Sequence, residues 1–380
     1  MSQANAQSIT FREVSETHLP EIARSNRNSM DARPVDLDGD GDLDLVIAVE
    51  FFKNWILLND GQGHFSDASD RLPDPKAELS PAPYRYYPHH DSEDVAVLDF
   101  EHDGDLDIVI VTEDDEVNEF YLQQPDGTFA AADFPVTGVT NGLIAVDVNG
   151  DGWDDLVLAN NGQNELLIND AGTWKVETAE RLPQVKDITQ DVEAADFDGD
   201  GDVDLIVANE LTNRLLRNDG KGIFEDVTQA YFPAGGLNEE TREADWGDAN
   251  GDGEFDLFFA NVRFFQGNTP TPRLMIRQAD GTYMDELPTR MTLQVGEGMV
   301  DADWVDLDAD GDLDLVFAGT GGPQIHLNDG TGHFTNITSE ALAGGTAMGV
   351  DVEVADFDGD GKLDIYLANF RAADRLFLQN

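Results

Sequence analysis

Short apolar runs alternate with polar turns along the whole chain. Near the middle, an apolar run at residues 205–208 precedes a predicted strand at 214–217, Arg-Leu-Leu-Arg, and a glycine hairpin follows at 218–222. Asn-Asp-Gly between two such runs is a strong hairpin signal. Because helical periodicity is not apparent, the pattern predicts an all-β chain with four short strands per repeat, here 192–196, 205–208, 214–217 and 223–227.

A nine-residue motif, here called the Asp-rich loop, separates the first and second strands of every repeat. Its seven copies lie at residues 36–44, 99–107, 147–155, 196–204, 248–256, 306–314 and 356–364. Every copy has Asp at positions 1, 5 and 9, an acid or Asn at position 3 and Gly at position 6. Repeats of about fifty residues build one body rather than separate domains, so residues 1–380 are expected to form a single domain.

Oxygen ligands on alternate residues and a glycine at the sharp turn are what Ca²⁺ requires of a loop. We expect side-chain oxygens from positions 1, 3 and 5, a backbone carbonyl from position 7, and a bidentate carboxylate from position 9. The invariant glycine at position 6 predicts a left-handed backbone there. Up to seven Ca²⁺ ions are predicted, with the ligand residues Asp36, Asp38, Asp40, Asp42, Asp44; Asp99, Glu101, Asp103, Asp105, Asp107; Asp147, Asn149, Asp151, Trp153, Asp155; Asp196, Asp198, Asp200, Asp202, Asp204; Asp248, Asn250, Asp252, Glu254, Asp256; Asp306, Asp308, Asp310, Asp312, Asp314; and Asp356, Asp358, Asp360, Lys362, Asp364.

Other readings of these loops fit the sequence less well. An EF-hand needs Glu at loop position 12, where this chain has apolar residues such as Ile47 and Val207. A catalytic two-metal site needs ligands from separate segments, whereas each loop here carries a full set. The remaining alternative is that the Asp-Gly runs are solvated turns.

The net charge of −56 limits the partners, since nucleic acid and anionic membrane surfaces repel such a chain. The sequence contains no cysteine, so disulfides are excluded, and no apolar run reaches the length of a membrane span. Cytosolic Ca²⁺ is too dilute to fill weak loops, which favours an extracellular, cell-surface or periplasmic location, although residues 1–7 lack the apolar core of a signal peptide. We expect a monomer without membrane insertion.

The two ends of the chain complement each other. The seventh repeat stops after its third strand, and residues 9–15 resemble the fourth strands around Phe65, Phe224 and Phe334. The N-terminal strand is therefore predicted to complete the last repeat and close a ring.

With these loops, of which residues 195–205 are the most regular, the chain resembles the FG-GAP/VCBS-repeat family, whose best-known members are the integrin α-chain propellers. It lacks the Phe-Gly and Gly-Ala-Pro signatures of integrins. The resemblance implies a single seven-bladed β-propeller with calcium loops. It does not imply one function, because the family includes adhesion modules, sugar-binding modules and accessory domains of enzymes.

Recognition is expected on the face opposite the Asp-rich loops, where the repeats differ. Long connections at 72–94 and 232–241, together with turns at 50–53, 261–265 and 369–371, carry aromatic and arginine side chains that suit sugars and carboxylates. The alternative is that the aromatic side chains only pack these segments onto the fold. The candidates are Phe51, Phe52, Tyr86, Tyr87, His89, His90, Arg263, Phe264 and Arg371.

Acidic residues also stand at fixed distances before the Asp-rich loops. Five residues before each loop lie Asp31, Asp94, Gly142, Asp191, Glu243, Asp301 and Asp351, and two residues later lie Arg33, Ala96, Ile144, Glu193, Asp245, Asp303 and Glu353. Residues two apart share a strand face, so these acids are predicted to surround the mouth of a central channel that binds a cation or a basic group. The alternative is that each acid faces water or caps backbone amides.

The sequence thus favours a calcium-stabilised binding or adhesion module that is secreted and recognises a carbohydrate or protein. A polysaccharide lyase or hydrolase at the loop-rich face, using Arg85, Tyr86, Tyr87, His89 and His90, is the alternative. A purely structural or adhesive segment of a larger surface protein is a third. Catalysis is disfavoured because the chain has no nucleophile elbow, phosphate loop or dinucleotide fingerprint.

Overall fold

The computed structural model of the chain describes residues 9–73, 89–113, 117–233, 239–263, 271–293, 298–342 and 348–380. Its described strands pair in antiparallel fashion as three four-stranded and two eight-stranded sheets, which divide into four-stranded units that each contain one Asp-rich loop. The prediction of an all-β chain is confirmed. Tyr86, Tyr87 and Phe264, three of the predicted ligand-binding residues, lie outside the described residues.

The strands occupy equivalent positions in successive units. The first strands are β2 (Arg27–Val35), β6 (Ser92–Leu98), β10 (Thr140–Val146), β14 (Asp187–Ala195), β18 (Thr241–Gly247), β22 (Met299–Val305) and β26 (Gly349–Ala355). The second strands are β3 (Asp44–Val49), β7 (Asp107–Thr112), β11 (Asp155–Gly162), β15 (Asp204–Asn209), β19 (Asp256–Asn261), β23 (Asp314–Gly319) and β27 (Asp364–Ala372). The third strands are β4 (Trp55–Leu58), β8 (Glu119–Gln123), β12 (Glu165–Asn169), β16 (Arg214–Arg217), β20 (Arg273–Arg277), β24 (Gln324–Asn328) and β28 (Arg375–Gln379). The fourth strands are β5 (Ser66–Asp67), β9 (Phe129–Ala131), β13 (Trp174–Val176), β17 (Glu225–Asp226), β21 (Tyr283–Asp285), β25 (Phe334–Asn336) and, in the last unit, β1 (Phe11–Glu13).

A single helical turn follows most of the fourth strands. These turns are too short to give a helical period, which is why the sequence pattern did not reveal them. They are α1 (Ser15–His18), α2 (Thr178–Arg181), α3 (Thr228–Tyr231), α4 (Leu287–Arg290), α5 (Thr338–Ala341) and a 3₁₀ turn at Ser69–Arg71.

The second strands form the core because they are buried on both faces between neighbouring units. In β3, Val46 and Ala48 pack with Val95 and Ile110 of the next unit. Leu45, Ile47 and Val49, which point to the other face of the strand, pack on the last unit. Strands buried on both faces read as continuous apolar runs. This arrangement explains why the four-residue runs after each loop predicted these strands well.

Neighbouring units also meet through their first strands. Contacts join β2 with β6, β6 with β10, β10 with β14, β14 with β18, β18 with β22, β22 with β26 and β26 with β2. The chain ends meet as well, since β1 pairs antiparallel with β28 through Phe11 opposite Gln379 and Glu13 opposite Phe377.

Each first strand carries a β-bulge at the same place. The register against the second strand shifts between Ser29 and Asp31 in β2 and between Thr189 and Asp191 in β14, and equivalent shifts occur in the other five first strands. A bulge redirects side chains relative to strict alternation. The bulged residue lies six positions before the Asp-rich loop, next to the acids singled out in the sequence.

Candidate functional site

The Asp-rich loops share one backbone geometry. In all seven, the amide of the position-6 glycine donates to the position-1 carboxylate over 2.7 to 3.2 Å. The φ angles of these glycines lie between 87° and 99°, which confirms the predicted left-handed turn. Position 4 is also left-handed, even where it is His102 or Ala309, and the sequence analysis did not anticipate this.

The position-9 carboxylate is buried and fixes the loop to the rest of its unit. In every unit, one of its oxygens accepts the amide at the end of the third strand over 2.7 to 2.8 Å, as in Asp44 with Asn59. Desolvation and neighbouring carboxylates raise the pKa of Asp44 to about 6 and that of Asp204 to about 7. A cation placed beside this carboxylate would oppose that shift by favouring the ionised form.

The residues of several loops fit a hard cation. Carboxylate oxygens of three loop positions approach within 4.8 Å of one another in the first, fourth and sixth loops, for example those of Asp196, Asp198 and Asp204. Among the described residues of these loops, four buried carboxylate oxygens have no hydrogen-bond partner: Asp36 Oδ1, Asp198 Oδ1, Asp204 Oδ2 and Asp306 Oδ1. Buried carboxylate oxygens without a donor are costly unless a cation binds them, so this donor set fits Ca²⁺.

Other loops differ in ways that bear on the predicted ligands. Lys362, at position 7 of the seventh loop, donates to Asp360 at position 5 over 2.7 Å. Asn149 of the third loop turns its amide nitrogen toward Asp155, 3.2 Å away. The ammonium group of Lys362 competes with a cation for the Asp360 carboxylate, whereas a turn of the Asn149 side chain would present its oxygen.

The acids before the loops converge on one inner cavity of about 590 Å³. Its walls come from the first strands of all seven units. Residues at the same distance before each loop form rows around the cavity, and two of these rows, five and three residues before the loops, were predicted from the sequence. The bulges add a third row of residues that face the cavity. In a regular strand, the alternation of side chains would turn these residues to the opposite face. That row is Met30, Glu93, Asn141, Gln190, Arg242, Val300 and Val350.

A ring of hydrogen bonds joins the units around the inner cavity. Each carboxylate five residues before a loop accepts the backbone amide that lies four residues before the next loop, over 2.5 to 3.2 Å. This is the capping arrangement that the sequence left open as an alternative. The donor and acceptor pairs are Val95 to Asp31, Leu143 to Asp94, Ala244 to Asp191, Ala302 to Glu243, Val352 to Asp301 and Ala32 to Asp351.

The ring is interrupted at Gly142, the one position without a carboxylate. A Cβ added there would lie 2.7 Å from the carbonyl oxygen of Gln190 and 3.2 Å from the Cα of Asp191. The third and fourth units therefore approach too closely for a side chain. Backbone pairing of Asn161 with Ile188 joins them instead.

Acids outnumber bases in the inner cavity. Among the described residues, eleven carboxyl groups line it, against the guanidinium groups of Arg33 and Arg242. Arg33 lies 3.8 Å from Asp31 and 3.9 Å from Asp94, and it is half-exposed to the cavity. Desolvation, followed by repulsion from neighbouring acids, raises the pKa of Glu193 and of Asp245 to about 8. The cavity thus holds an excess of carboxylates that a cationic group would neutralise.

The predicted aromatic residues on the loops partly pack onto the fold. Phe52 lies under the guanidinium group of Arg27, 4.1 Å from ring centre to Cζ, and the amide of Phe51 donates to the His90 carbonyl. His90 is 4% exposed, with Nε2 3.6 Å from Glu119. Burial of His90 weighs against its use as a surface base.

The remaining predicted residues on the loops reach the surface or the cavity rim. Arg263 is exposed and His89 is half-buried. Arg371 stacks on Phe370, which lines the inner cavity. Phe51 and Arg371 both have positive φ, an uncommon conformation for residues other than glycine.

The sequence analysis missed a set of capping residues before the third strands. The side-chain oxygens of Asn54, Asn118, Asn164, Asn213 and Asp374 each accept an amide from the second strand of the same unit, over 2.7 to 3.0 Å. The signal was present as an Asn or Asp directly before each of these strands. Side chains of this type cap turns through local hydrogen bonds.

Comparison with solved structures identifies similar folds at low sequence identity. A crystal structure of BBS1N in complex with ARL6DN has a TM-score of 0.60 and 10% identity, over 98% of this chain and 98% of that chain. An Agrocybe aegerita lectin that recognises non-reducing terminal N-acetylglucosamine has a TM-score of 0.52 and 17% identity, over 91% of this chain and 87% of that one. The extracellular domain of a putative hybrid two-component system from B. thetaiotaomicron has a TM-score of 0.53 and 11% identity, over 97% of this chain and 39% of that one.

Comparison with curated protein sequences finds no match. Among the described helices, none is long and apolar enough to cross a membrane. The model for FG-GAP-like repeats matches residues 36–110, 99–152, 147–207, 196–259 and 306–367. Since these segments cover well over half of the chain and include all seven Asp-rich loops, the chain belongs to the FG-GAP-like repeat family of β-propellers.

Proposed function

We propose that this protein is a calcium-stabilised binding module whose inner cavity receives a cationic group of a carbohydrate or protein ligand. The observation that carries the proposal is the convergence of all seven first strands on one cavity with eleven carboxylates and two arginines. The module acts as a monomer outside the cytosol, where Ca²⁺ is abundant enough to fill its loops.

The proposed architecture is a closed seven-bladed β-propeller with the seven units as blades. Two observations support closure: the first strands contact one another in an unbroken order that returns from β26 to β2, and β1 adds a fourth strand to the last unit. A closed ring leaves its first strands around a central channel, which is where ligands meet groups from many blades at once.

The ligand approaches from the face opposite the Asp-rich loops. Each loop joins the end of a first strand to the start of a second, so the beginnings of the first strands open at the other end of the cavity. Phe370 and Arg371 lie at that rim. The Phe370 ring suits a sugar ring, and the Arg371 guanidinium suits a carboxylate that the ligand carries beside its cationic group. The recognition of N-acetylglucosamine by the Agrocybe lectin and the complex of BBS1N with ARL6DN make both ligand classes reasonable for this fold.

Exchange of acids for amides tests the proposal. We would screen the Ca²⁺-loaded protein against glycans that include amino sugars and against peptides that carry Arg or Lys. The double variant Asp191→Asn/Asp301→Asn keeps oxygen acceptors for the amides of Ala244 and Val352 but replaces two carboxyl groups, which a bound cation would ionise, with amides that stay neutral. We expect about tenfold or greater loss of affinity for cationic ligands, since hydrogen bonds to charged groups are worth about 1.5–3 kcal/mol each.

The matched control is Asp219→Asn/Glu340→Gln, which removes two exposed carboxylates outside the cavity. Equal binding by the cavity variant, the control and the unmodified protein would reject the cavity as the ligand site. The same glycan screen, read by ultraviolet absorption, would detect an unsaturated product of a polysaccharide lyase.

A further inference from the structure

One side chain in most units connects a hairpin with the Asp-rich loop of the preceding unit around the ring. The side chain belongs to the residue at or just after the end of the third strand, and it donates to the carbonyl of loop position 2. The pairs are Asn59 with Phe357, Asn169 with Phe100, Asn218 with Val148, Arg277 with Phe197, Asn328 with Ala249 and Gln379 with Leu307.

In three units the same amide group also contacts the loop of its own unit. Asn59 donates to the position-8 carbonyl of Leu43, Asn218 to that of Val203 and Asn328 to that of Leu313, over 2.9 to 3.1 Å. A side-chain amide has two N–H donors, and here the two serve two different loops. Each of these asparagines therefore connects consecutive Asp-rich loops directly.

Asn218 shows how firmly this connection is held. It is 4% exposed; its backbone amide donates to Asp204 over 2.7 Å, and its side-chain oxygen accepts the amide of Gly222 over 2.9 Å. Its Nδ2 donates to the Val148 carbonyl over 2.8 Å. Every hydrogen-bonding group of Asn218 except its carbonyl is thus committed to a loop or to the hairpin.

Val148 lies between two proposed calcium ligands, Asp147 and Asn149. Its carbonyl is held by Asn218 of the next unit, and its amide donates to Asp155, the position-9 carboxylate of its own loop, over 3.2 Å. The peptide groups on both sides of Val148 are therefore fixed, and they set the direction of the Asp147 and Asn149 side chains. Groups that orient metal ligands in this way affect metal affinity strongly.

We infer that the hairpin side chain of these six units is a positioning residue for the calcium site of the preceding unit, so that neighbouring sites are coupled to one another around the ring. The inference rests on the calcium binding proposed above. It explains why chemically different side chains, Asn, Arg and Gln, occupy this place: each supplies an N–H donor that reaches the same carbonyl.

Trp153 allows the coupling to be measured at one loop. It occupies position 7 of the third loop, so it should sensitise the luminescence of Tb³⁺ bound there in place of Ca²⁺, and Trp153→Phe identifies that part of the signal. Asn218→Asp keeps a side-chain oxygen for the hairpin amides but has no donor for Val148. We expect Tb³⁺ affinity at the Trp153 site to fall about tenfold, the lower end of what lost outer-shell contacts cost.

Asn328→Asp is the matched control, because it makes the same substitution at the equivalent contacts with Ala249 and Leu313. It should leave the Trp153 signal unchanged. Asn218→Ser, which keeps a hydroxyl acceptor for the hairpin, serves if the Asp variant does not fold, and its Trp153 signal should weaken in the same way.

The possible results separate this inference from the calcium proposal. The coupling would be overturned, and calcium binding left intact, if the Trp153 signal titrates at the same Tb³⁺ concentration in the unmodified protein, the Asn218 variants and Asn328→Asp. Both the coupling and the calcium proposal would be overturned if the unmodified protein gives no Trp153-dependent signal and its melting temperature does not change with Ca²⁺.

Discussion

Gly41, at position 6 of the first Asp-rich loop, shows why single residues matter in this fold. Its φ is 98°, and a Cβ added there would meet nothing within 4 Å. The glycine is therefore required by backbone conformation and not by lack of space. Position 4 of other loops tolerates His102 and Ala309 at φ of 54° and 58°, closer to the ordinary left-handed region.

We expect Gly41→Ala to lower the free energy of unfolding by about 1–2 kcal/mol, the usual cost of a left-handed residue with a Cβ. Gly41→Asn should cost less, because Asn tolerates this conformation better. Urea unfolding in excess Ca²⁺ measures both values. Equal losses for Ala and Asn would show that something other than backbone strain fixes this position.

At the scale of elements, the N-terminal strand carries more than its three residues suggest. Phe11 and Val14 are buried in two different clusters, and Ser15 accepts the amide of Leu376 through its hydroxyl oxygen. Glu13 forms an ion pair with Arg375 over 2.7 Å. Removal of this N-terminal segment would expose the buried residues that pack against Phe11 and Val14 and would leave β28 as an unpaired edge.

Deletion of residues 1–16 should therefore lower the melting temperature sharply. Loss of the burial of two apolar side chains alone costs about 3–6 kcal/mol at about 1.5–3 kcal/mol each. Differential scanning calorimetry measures the change, and deletion of residues 1–8, which leaves β1 complete, is the control. An unchanged melting temperature in the longer deletion would contradict the closure of the ring by this strand.

At the scale of the whole molecule, the excess of negative charge is the main influence on stability. The net charge of −56 is concentrated in the Asp-rich loops and the inner cavity, where like charges oppose folding unless cations or protons neutralise them. These two neutralising agents act in different places and can be separated by experiment.

Chelation tests the loops. EDTA should lower the melting temperature by roughly ten degrees or more, since ligands that bind only the folded state stabilise it by mass action. Excess Ca²⁺ should restore the original value, whereas Mg²⁺, which prefers a tight octahedral shell, should restore little of it. A melting temperature indifferent to chelator would contradict occupied calcium loops.

A pH series in constant excess Ca²⁺ tests the cavity. The pKa of Glu193 and of Asp245 is raised to about 8 and that of Asp303 to about 7, chiefly by desolvation. The folded state therefore binds more protons than the unfolded chain between the ordinary carboxyl pKa and about 8, so stability should fall as the pH rises from about 5 and should level off above about 8.

Two variants test whether the dependence of stability on pH comes from the cavity. Asp245→Asn should flatten it, because the amide does not ionise, whereas exposed Glu340→Gln should leave it unchanged. Urea unfolding midpoints at pH 6, 7, 8 and 9 give the comparison. A midpoint that rises over this range in the unmodified protein would contradict the proton-dependent cavity.

The sequence by itself determined the all-β class and the Asp-rich loops, because each loop and strand depends on neighbouring residues, and the repeat followed from seven copies of the same local pattern. Local turn chemistry is enough to define a loop such as 196–204 and the buried strand after it. The capping Asn before the third strands is an equally local signal, since it lies directly before the strand that it precedes.

Only the tertiary structure decided what the acids before the loops do. The carboxylate of Asp191 accepts an amide from Ala244, about fifty residues away in the next unit, and no local pattern encodes that contact. The β-bulges also turn Gln190 and Arg242 into the inner cavity, against the alternation that a regular strand would impose. The cavity exists because seven strands distant in sequence converge, and convergence depends on how the units pack rather than on the order of residues within any one of them.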